Sequence, residues 1–253
     1  MLENTFIILQ GIGCRTEKKL WQKGILSWED FLTSSTIPWI SSPRKDEYDV
    51  HISRARENLK KNNSRYFSRC LHPSEHWRTY ETWKENACFL DIETTGFYHG
   101  ITMVGIYSTH GYTPYVKGIN LDKNTLQEEI EQYSMLVTFY GKAFDLPFIE
   151  RELGITIHVP HLDLCFAGRK IGLHGGLKKV ERKLGVSREE DIQGLDGFDA
   201  VRLWRAYERG DDLSLDMLIR YNRADTVNLE VLADIIFAKL KEKTFLSCSL
   251  VQD

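Results

Sequence analysis

Four carboxylates and one phenol stand in three short segments of this 253-residue chain: Phe89-Leu90-Asp91-Ile92-Glu93-Thr94-Thr95-Gly96, Phe139-Tyr140-Gly141-Lys142-Ala143-Phe144-Asp145 and Tyr221-Asn222-Arg223-Ala224-Asp225. The first segment leaves an apolar run of the kind that forms a buried strand, where alternate side chains share a face, so Asp91 and Glu93 point the same way. The third lies in a helical stretch, where a spacing of four puts Tyr221 above Asp225 on one face. Carboxylates converging on one place repel each other unless cations sit between them. Oxygen-only ligands suit hard divalent cations, Mg2+ or Mn2+, and two such ions about 3.5–4 Å apart form a clamp for in-line attack on a phosphodiester. The expected metal ligands are Asp91, Glu93, Asp145 and Asp225, with Asp145 acting on the second ion directly or through water. Tyr221 is expected to orient the attacking water.

The order Asp-x-Glu, then Asp, then Tyr-x-x-x-Asp resembles the DEDD (DnaQ-like) exonuclease superfamily, in its tyrosine-containing branch (DEDDy). The sister branch places a histidine five positions before the last aspartate, where this chain has Arg220. From about Trp83 to Lys241 the chain is similar to the YprB-type predicted exonuclease family, including Asp163-Leu164, Gly175-Gly176-Leu177-Lys178-Lys179-Val180-Glu181 and Tyr221-Asn222. The resemblance implies an α/β, ribonuclease H-like fold and a 3′→5′ exonuclease that releases 5′-monophosphates from DNA or RNA ends. It implies that Asp91 bridges both ions, and that Thr94, Thr95 and Gly96 hold the terminal nucleotide while Phe97 packs on a base. Relatives often carry Asn where this chain has Tyr140. Asp163 matches a family position that is not a defining metal ligand, which implies a supporting role.

Composition agrees with a catalytic domain plus a small extra module. Hydrophobic residues at 42% with 27% charged describe an ordinary soluble chain. A formal charge of −3 leaves nucleic-acid binding to local patches. Such patches exist: residues 41–80 hold nine Lys/Arg against five Asp/Glu, and residues 166–185 six against one, whereas 186–216 hold four against nine. Five cysteines, at 14, 70, 88, 165 and 248, show no metal-type spacing and read as reduced thiols. With neither a leader pattern nor a long apolar run, the expected location is cytoplasmic, without a membrane partner.

The chain divides, on expectation, into a helix-hairpin-helix-like module (1–33), a linker and charged helical connector (34–82), the nuclease domain (83–243) and a tail (244–253). In the first unit a helix runs to Gln22 and a second starts at Ser27 with Asp30. Its Gly11-Ile12-Gly13 turn either presents backbone N–H groups to a phosphate or simply permits close packing. One charged helix is expected from about Pro43 to Leu71. Trp77, Tyr80 and Trp83 either stack on unpaired bases or bury the connector.

In the main domain, strands are expected near 87–92, 101–108, 112–116, 135–140 and 158–162, with helices near 125–133, 146–153, 177–184, 200–209 and 213–241. Three strands in succession, then alternating helices, suggest a mixed sheet covered by helices. Lys142 beside Asp145 is a candidate phosphate contact, and Lys178, Lys179, Arg182 and Lys183 form a basic helix that either tracks a strand backbone or is a solvated face. His158, His161 and Asp163 do not share one strand face, which argues against zinc. The expected activity is therefore a metal-dependent exonuclease on a single-stranded end or junction. The competing readings are a nucleic-acid binding module and a structure-selective endonuclease.

Overall fold

The structure is a computed structural model that describes residues 1–96, 100–190 and 192–249, the last four of these by backbone alone. Five α-helices come first: α1 (Cys14–Gln22), α2 (Trp28–Thr33), α3 (Ser42–Lys60), α4 (Ser64–Cys70) and α5 (Tyr80–Trp83). Three strands follow, β1 (Ala87–Thr94), β2 (Ile101–Ser108) and β3 (Gly111–Val116). Then come α6 (Lys123–Glu131), β4 (Met135–Thr138), α7 (Asp145–Leu153), β5 (His161–Asp163) and α8 (Leu164–Arg169). The chain ends in α9 (Leu177–Leu184), α10 (Gly197–Tyr207) and the long α11 (Asp212–Ser249).

The sheet order is β3-β2-β1-β4-β5. β1 pairs antiparallel with β2 and parallel with β4, and β4 pairs parallel with β5, so β1 is the central strand of a mixed sheet. Alternation along β1 sends Cys88, Leu90 and Ile92 into a core with Leu126 and Ile130 of α6 and Phe148 and Ile149 of α7. Ala87 and Phe89 face the other way, toward Leu229, Leu232, Ala233 and Ile236 of α11. Asp91 and Glu93 continue this second face by the same period of two. The stripe of α11 turns polar at the same level: Leu229 and Leu232 give way to Asn222, Asp225 and Thr226, all buried. Two apolar surfaces thus pack against each other and break together, which leaves a polar cleft at the carboxyl ends of β1 and β4, the usual place for a ligand in such sheets.

The second core does not stop at the sheet. Leu2, Phe6 and Leu9 of the first turns, with Trp28, Phe31 and Phe67 of the N-terminal helices, join Trp77, Tyr80 and Trp83 and reach Phe237 and Leu240 of α11. A buried ion pair spans the same boundary, Arg78 Nη1 to Glu17 Oε2 at 2.9 Å. Trp77, Tyr80 and Trp83 are all buried, so in this chain they pack rather than present their faces to a ligand.

Several elements differ from the sequence-based expectation: β4 stops at Thr138, β5 starts only at His161, α8 has no expected counterpart, and two helices differ more. The charged helix expected from Pro43 to Leu71 is two helices, because Asn62 takes a left-handed conformation (φ 53°) and its side chain accepts from Trp83 Nε1 at 2.5 Å. Asn tolerates that conformation better than most residues. The last helix does not end near Lys241; it continues to Ser249, and the ring of Phe245 lies 5.1 Å from that of Trp21 in α1. Packing on the N-terminal helices gives these last turns an apolar contact that periodicity within α11 does not reveal.

Candidate metal centre

Asp91 and Glu93 arrive on one face of β1, and Asp225 reaches them from α11. One carboxylate oxygen from each lies within 4.8 Å of the others. Among the described residues this is the one such group of acidic, histidine or cysteine side chains, and His158, His161 and Asp163 form none. Just past Glu93 the β1–β2 register slips, since Glu93 faces Met103 while Thr94 faces Ile101. Such a bulge bends the strand and re-aims the side chains beside it.

Asp145, the fourth expected ligand, stands apart from this group. Its Oδ1 accepts from the backbone N–H of Ile92 at 3.1 Å, and the residue is only 3% exposed. It sits at the first position of α7, where the helix dipole favours a carboxylate. Its charge still acts on Asp91 and Glu93.

Crowding shows in the acidities. Burial, then the neighbouring carboxylates of Asp225, Asp145 and Glu93, raise Asp91 well above the usual carboxylate range. Burial and the Asp225 charge push Glu93 up to about 8, against the pull of the Asn222 amide. Burial pushes Asp145 up to about 7, and it raises Asp225 even though Arg188 and Lys178 oppose it.

Several partners of these carboxylates were not singled out by sequence reasoning. Asn222, wholly buried, donates from Nδ2 to Asp91 Oδ2 at 2.9 Å and to Glu93 Oε1 at 3.4 Å. Its Oδ1 accepts from Tyr112 Oη at 2.9 Å, which fixes the amide orientation. Arg188 reaches in from the loop after α9 and pairs with Asp225. The same guanidinium is held by Glu181, Nε to Oε2 and Nη2 to Oε1, both at 2.8 Å. Asn228 donates to Glu181 Oε1 at 2.9 Å. The Tyr221-Asn222 pair was visible in the sequence as part of a motif, but nothing marked Arg188, which stands in an acidic stretch.

Tyr221 is 4% exposed, one helical turn from Asp225, and both line a cleft of about 450 Å3. The cleft also holds Asp91, Glu93, Thr94, Gly96 and an apolar wall that includes Phe144, Phe198 and Val201. Lys178 Nζ donates to Tyr221 Oη at 3.1 Å and to the carbonyl of Leu195. Burial, then the charges of Asp225, Glu93 and Asp91, raise the phenol far above its ordinary value. Tyr221 is therefore a neutral phenol that accepts from Lys178 and keeps its own O–H to donate.

The remaining sequence candidates are spread out. Thr94 Oγ1 accepts from the Gly96 N–H at 3.3 Å, and Thr95 N–H donates to the Gly100 carbonyl at 3.1 Å, so this turn rims the cleft. Phe97 lies outside the described residues. Lys179 is exposed, turned away from its neighbour Lys178. Lys142 lines a separate cavity with Asp163 and Phe166. Gly11 and Gly13 lie in the turn that leads into α1, where Gly13 precedes the helix and the Gln10 carbonyl accepts from Arg44 Nη2 and Tyr48 Oη at 2.9 and 2.8 Å.

The strand order, the central strand bearing Asp91 and Glu93, and the last helix bearing Asp225 agree with one further finding: the family profile of the RNase_H superfamily matches residues 88–237. The chain belongs to the RNase_H superfamily. Among curated proteins, none matches it.

An RNase_H superfamily domain with this acidic cluster fits a metal-dependent nuclease, and the donor set fits divalent cations. The mutually close donors are all carboxylate oxygens, which suits hard divalent ions. Asp225 Oδ1 is buried with its ion pair to Arg188 as its charged contact, and burial together with the crowded carboxylate charges raises the acidities of Asp91 and Glu93, a state that a cation among them would relieve. Asp91, Glu93 and Asp225 are the residues placed to hold such an ion. Among the described residues, no helix is long and apolar enough to cross a membrane.

Proposed function

We propose that this protein is a 3′→5′ exonuclease of the tyrosine-containing DEDD branch, acting on single-stranded DNA or RNA ends with two Mg2+ or Mn2+ ions. The observation that carries this reading is the meeting of Asp91, Glu93 and Asp225 with Tyr221 in one cleft, the phenol one helical turn from the last carboxylate. Divalent cations bound there supply activation of water and neutralise charge at the scissile phosphate.

The chain's own residues do the rest. Asp91, Glu93 and Asp225 hold the cations, and Asn222 fixes the first two carboxylates. Asp145, held against β1 by the Ile92 N–H, adds negative charge behind them and would act on a second ion, directly or through water. Tyr221 donates its O–H to orient the attacking water, while Lys178 holds the phenol oxygen. The turn of Thr94, Thr95 and Gly96 borders the end of the strand, and the apolar wall of Phe144, Phe198 and Val201 suits a terminal base. Wall and carboxylate floor share one cleft, which favours an end-directed enzyme. The N-terminal helices of residues 1–33, the connector and the domain beginning near residue 83 serve as separate functional regions on one body, the first as a helix-hairpin-helix-like module.

The test is a time course on 5′-labelled single-stranded DNA, single-stranded RNA and a duplex, with Mg2+ or Mn2+, beside a chelator control and Asp91→Asn. A metal-dependent ladder that shortens from the 3′ end and is lost in the variant is the expected result. Internal cuts would replace the exonuclease with an endonuclease, and binding without cleavage of any substrate would leave a binding module.

A further inference from the structure

The loop between β4 and α7 carries an unusual residue. Tyr140 adopts φ 68°, in the left-handed region that costs a bulky residue about 1 kcal/mol or more. Its side chain is nevertheless 44% exposed, so burial does not repay the strain. The loop is over-determined instead. Tyr140 N–H and Lys142 N–H both donate to the Asp163 carboxylate, each at 3.0 Å. A Cβ at Gly141 between them would overlap Thr138, which donates no room for any other residue.

Asp163 has a second task. It caps α8 by accepting from Cys165 N–H at 3.0 Å and Phe166 N–H at 3.4 Å. One buried carboxylate therefore ties the loop that carries Tyr140 to the helix that carries Phe166. The two rings stack, with centroids 5.9 Å apart and planes 28° from parallel. Phe166 is 38% exposed, and the Arg169 guanidinium lies 5.1 Å from its ring centroid. Beside Phe166 opens a cavity of about 320 Å3, lined also by Trp77, Lys142 and Lys170.

Two exposed aromatic rings, locked in place by a strained backbone and flanked by cations, suit a flat π-face attached to negative charge. We infer that Tyr140, Phe166, Arg169 and Lys142 form a stacking subsite for an unpaired base of a single-stranded nucleic acid, outside the carboxylate cleft. The charge complementarity is with the strand's phosphates. β1, β4 and β5 run parallel, so the platform, which follows β4 and β5, stands at the same end of the sheet as the carboxylates of β1, and a strand leaving the cleft along that edge reaches it. A duplex does not fit, since its bases are already stacked on one another. The subsite rests on the nuclease reading and extends it to the part of the strand that is not being cut.

The test is a binding titration with the full chain carrying Asp91→Asn, so that no strand is degraded, against fluorescent single-stranded oligonucleotides. One abasic position is walked along the strand from the 3′ end. The expected result is a loss of affinity of about tenfold when the abasic position falls at one fixed distance from the end. Tyr140→Asn with Phe166→Leu should cost a similar factor on the intact strand and nothing further on that abasic strand. The walk needs no substitution in the platform, so it reads the subsite even where the double variant folds poorly. Equal affinity across the walk beyond the terminal nucleotides overturns the subsite while leaving cleavage by the unmodified chain untouched. Failure of the unmodified chain both to cleave and to bind overturns the nuclease reading itself.

Discussion

Gly105 faces Asp91 across the β1–β2 ladder, and the space its missing Cβ leaves is occupied by the amide oxygen of Asn222. The close approach lets Asn222 reach Asp91 and Glu93 from α11 while Tyr112 holds its other end. Gly105→Ala should therefore push Asn222 off both carboxylates. The expected cost is about 1–3 kcal/mol of stability from overpacking, together with weaker Mn2+ binding. Adding Asn222→Ala to Gly105→Ala makes room again, so the double variant should melt closer to the parent yet still bind Mn2+ weakly. Thermal melts and calorimetric titration separate the two effects; parent-like Mn2+ binding in the double variant would sink the role given to Asn222.

Arg188 sets a second relationship. A guanidinium already neutralises Asp225 and is itself braced by Glu181, with Arg188 and Glu181 side chains 5% and 2% exposed. Removing it leaves two buried carboxylates with no ion-pair partner and only the charge of Lys178 to oppose theirs. Arg188→Gln should lower stability by about 3–5 kcal/mol in chelator. A divalent ion restores positive charge beside Asp225, so saturating Mn2+ should raise the melting temperature more in the variant than in the parent. Equal shifts in the two proteins would mean that Arg188 and the metal act on different groups.

Acidity links these carboxylates to pH. Their folded-state pKa values are raised, Glu93 to about 8 and Asp145 to about 7, above the roughly 4 of an unfolded chain. Between those values the folded, metal-free protein binds more protons than the unfolded chain, so stability falls as pH rises. His161 and His76, lowered by burial, act in the opposite sense below about pH 6.5, so the carboxylates dominate from about 6.5 to 8. Urea midpoints in chelator should fall across that window. Excess Mn2+, which takes the ionised carboxylates, should flatten the trend, and its binding should release protons. A chelated protein whose midpoint rises from pH 6.5 to 8 would contradict the raised values.

What could be read from the sequence followed local periodicity. Alternation placed Asp91 and Glu93 on one face, the helical repeat placed Tyr221 over Asp225, and the bounds of β2 and α9 match the expectation because each is a clean apolar pattern between turn residues. Long-range partners left no such trace. Asn222 meets Asp91 across 131 positions, Gly105 matters only through what fills its empty side, and Arg188 looked like one cation in an acidic stretch. Asp145 was expected to converge with the other carboxylates, but it bonds the Ile92 backbone because α7 begins at that residue beside β1. The Lys178-Lys179 pair read as one basic face, yet adjacent helical positions are about 100° apart, and of the two Lys178 turns inward onto Tyr221.

That inward turn gives the last prediction. Lys178 Nζ lies 3.1 Å from Tyr221 Oη and 4.7 Å from the centre of its ring, so the ammonium occupies the phenol's acceptor side and leaves the O–H to orient water. Tyr221→Phe removes that donor and should lower kcat by about 10²-fold, within the range of positioned proton donors, while Mn2+ affinity stays near that of the parent because no metal-ligating oxygen is lost. Lys178→Met should lower kcat less, since the phenol remains but is no longer held. The combination separates positioning from independent action: if Lys178 works through Tyr221, adding Lys178→Met to Tyr221→Phe should cost little more than Tyr221→Phe alone. Losses that multiply in the double variant would instead give Lys178 its own contact with substrate.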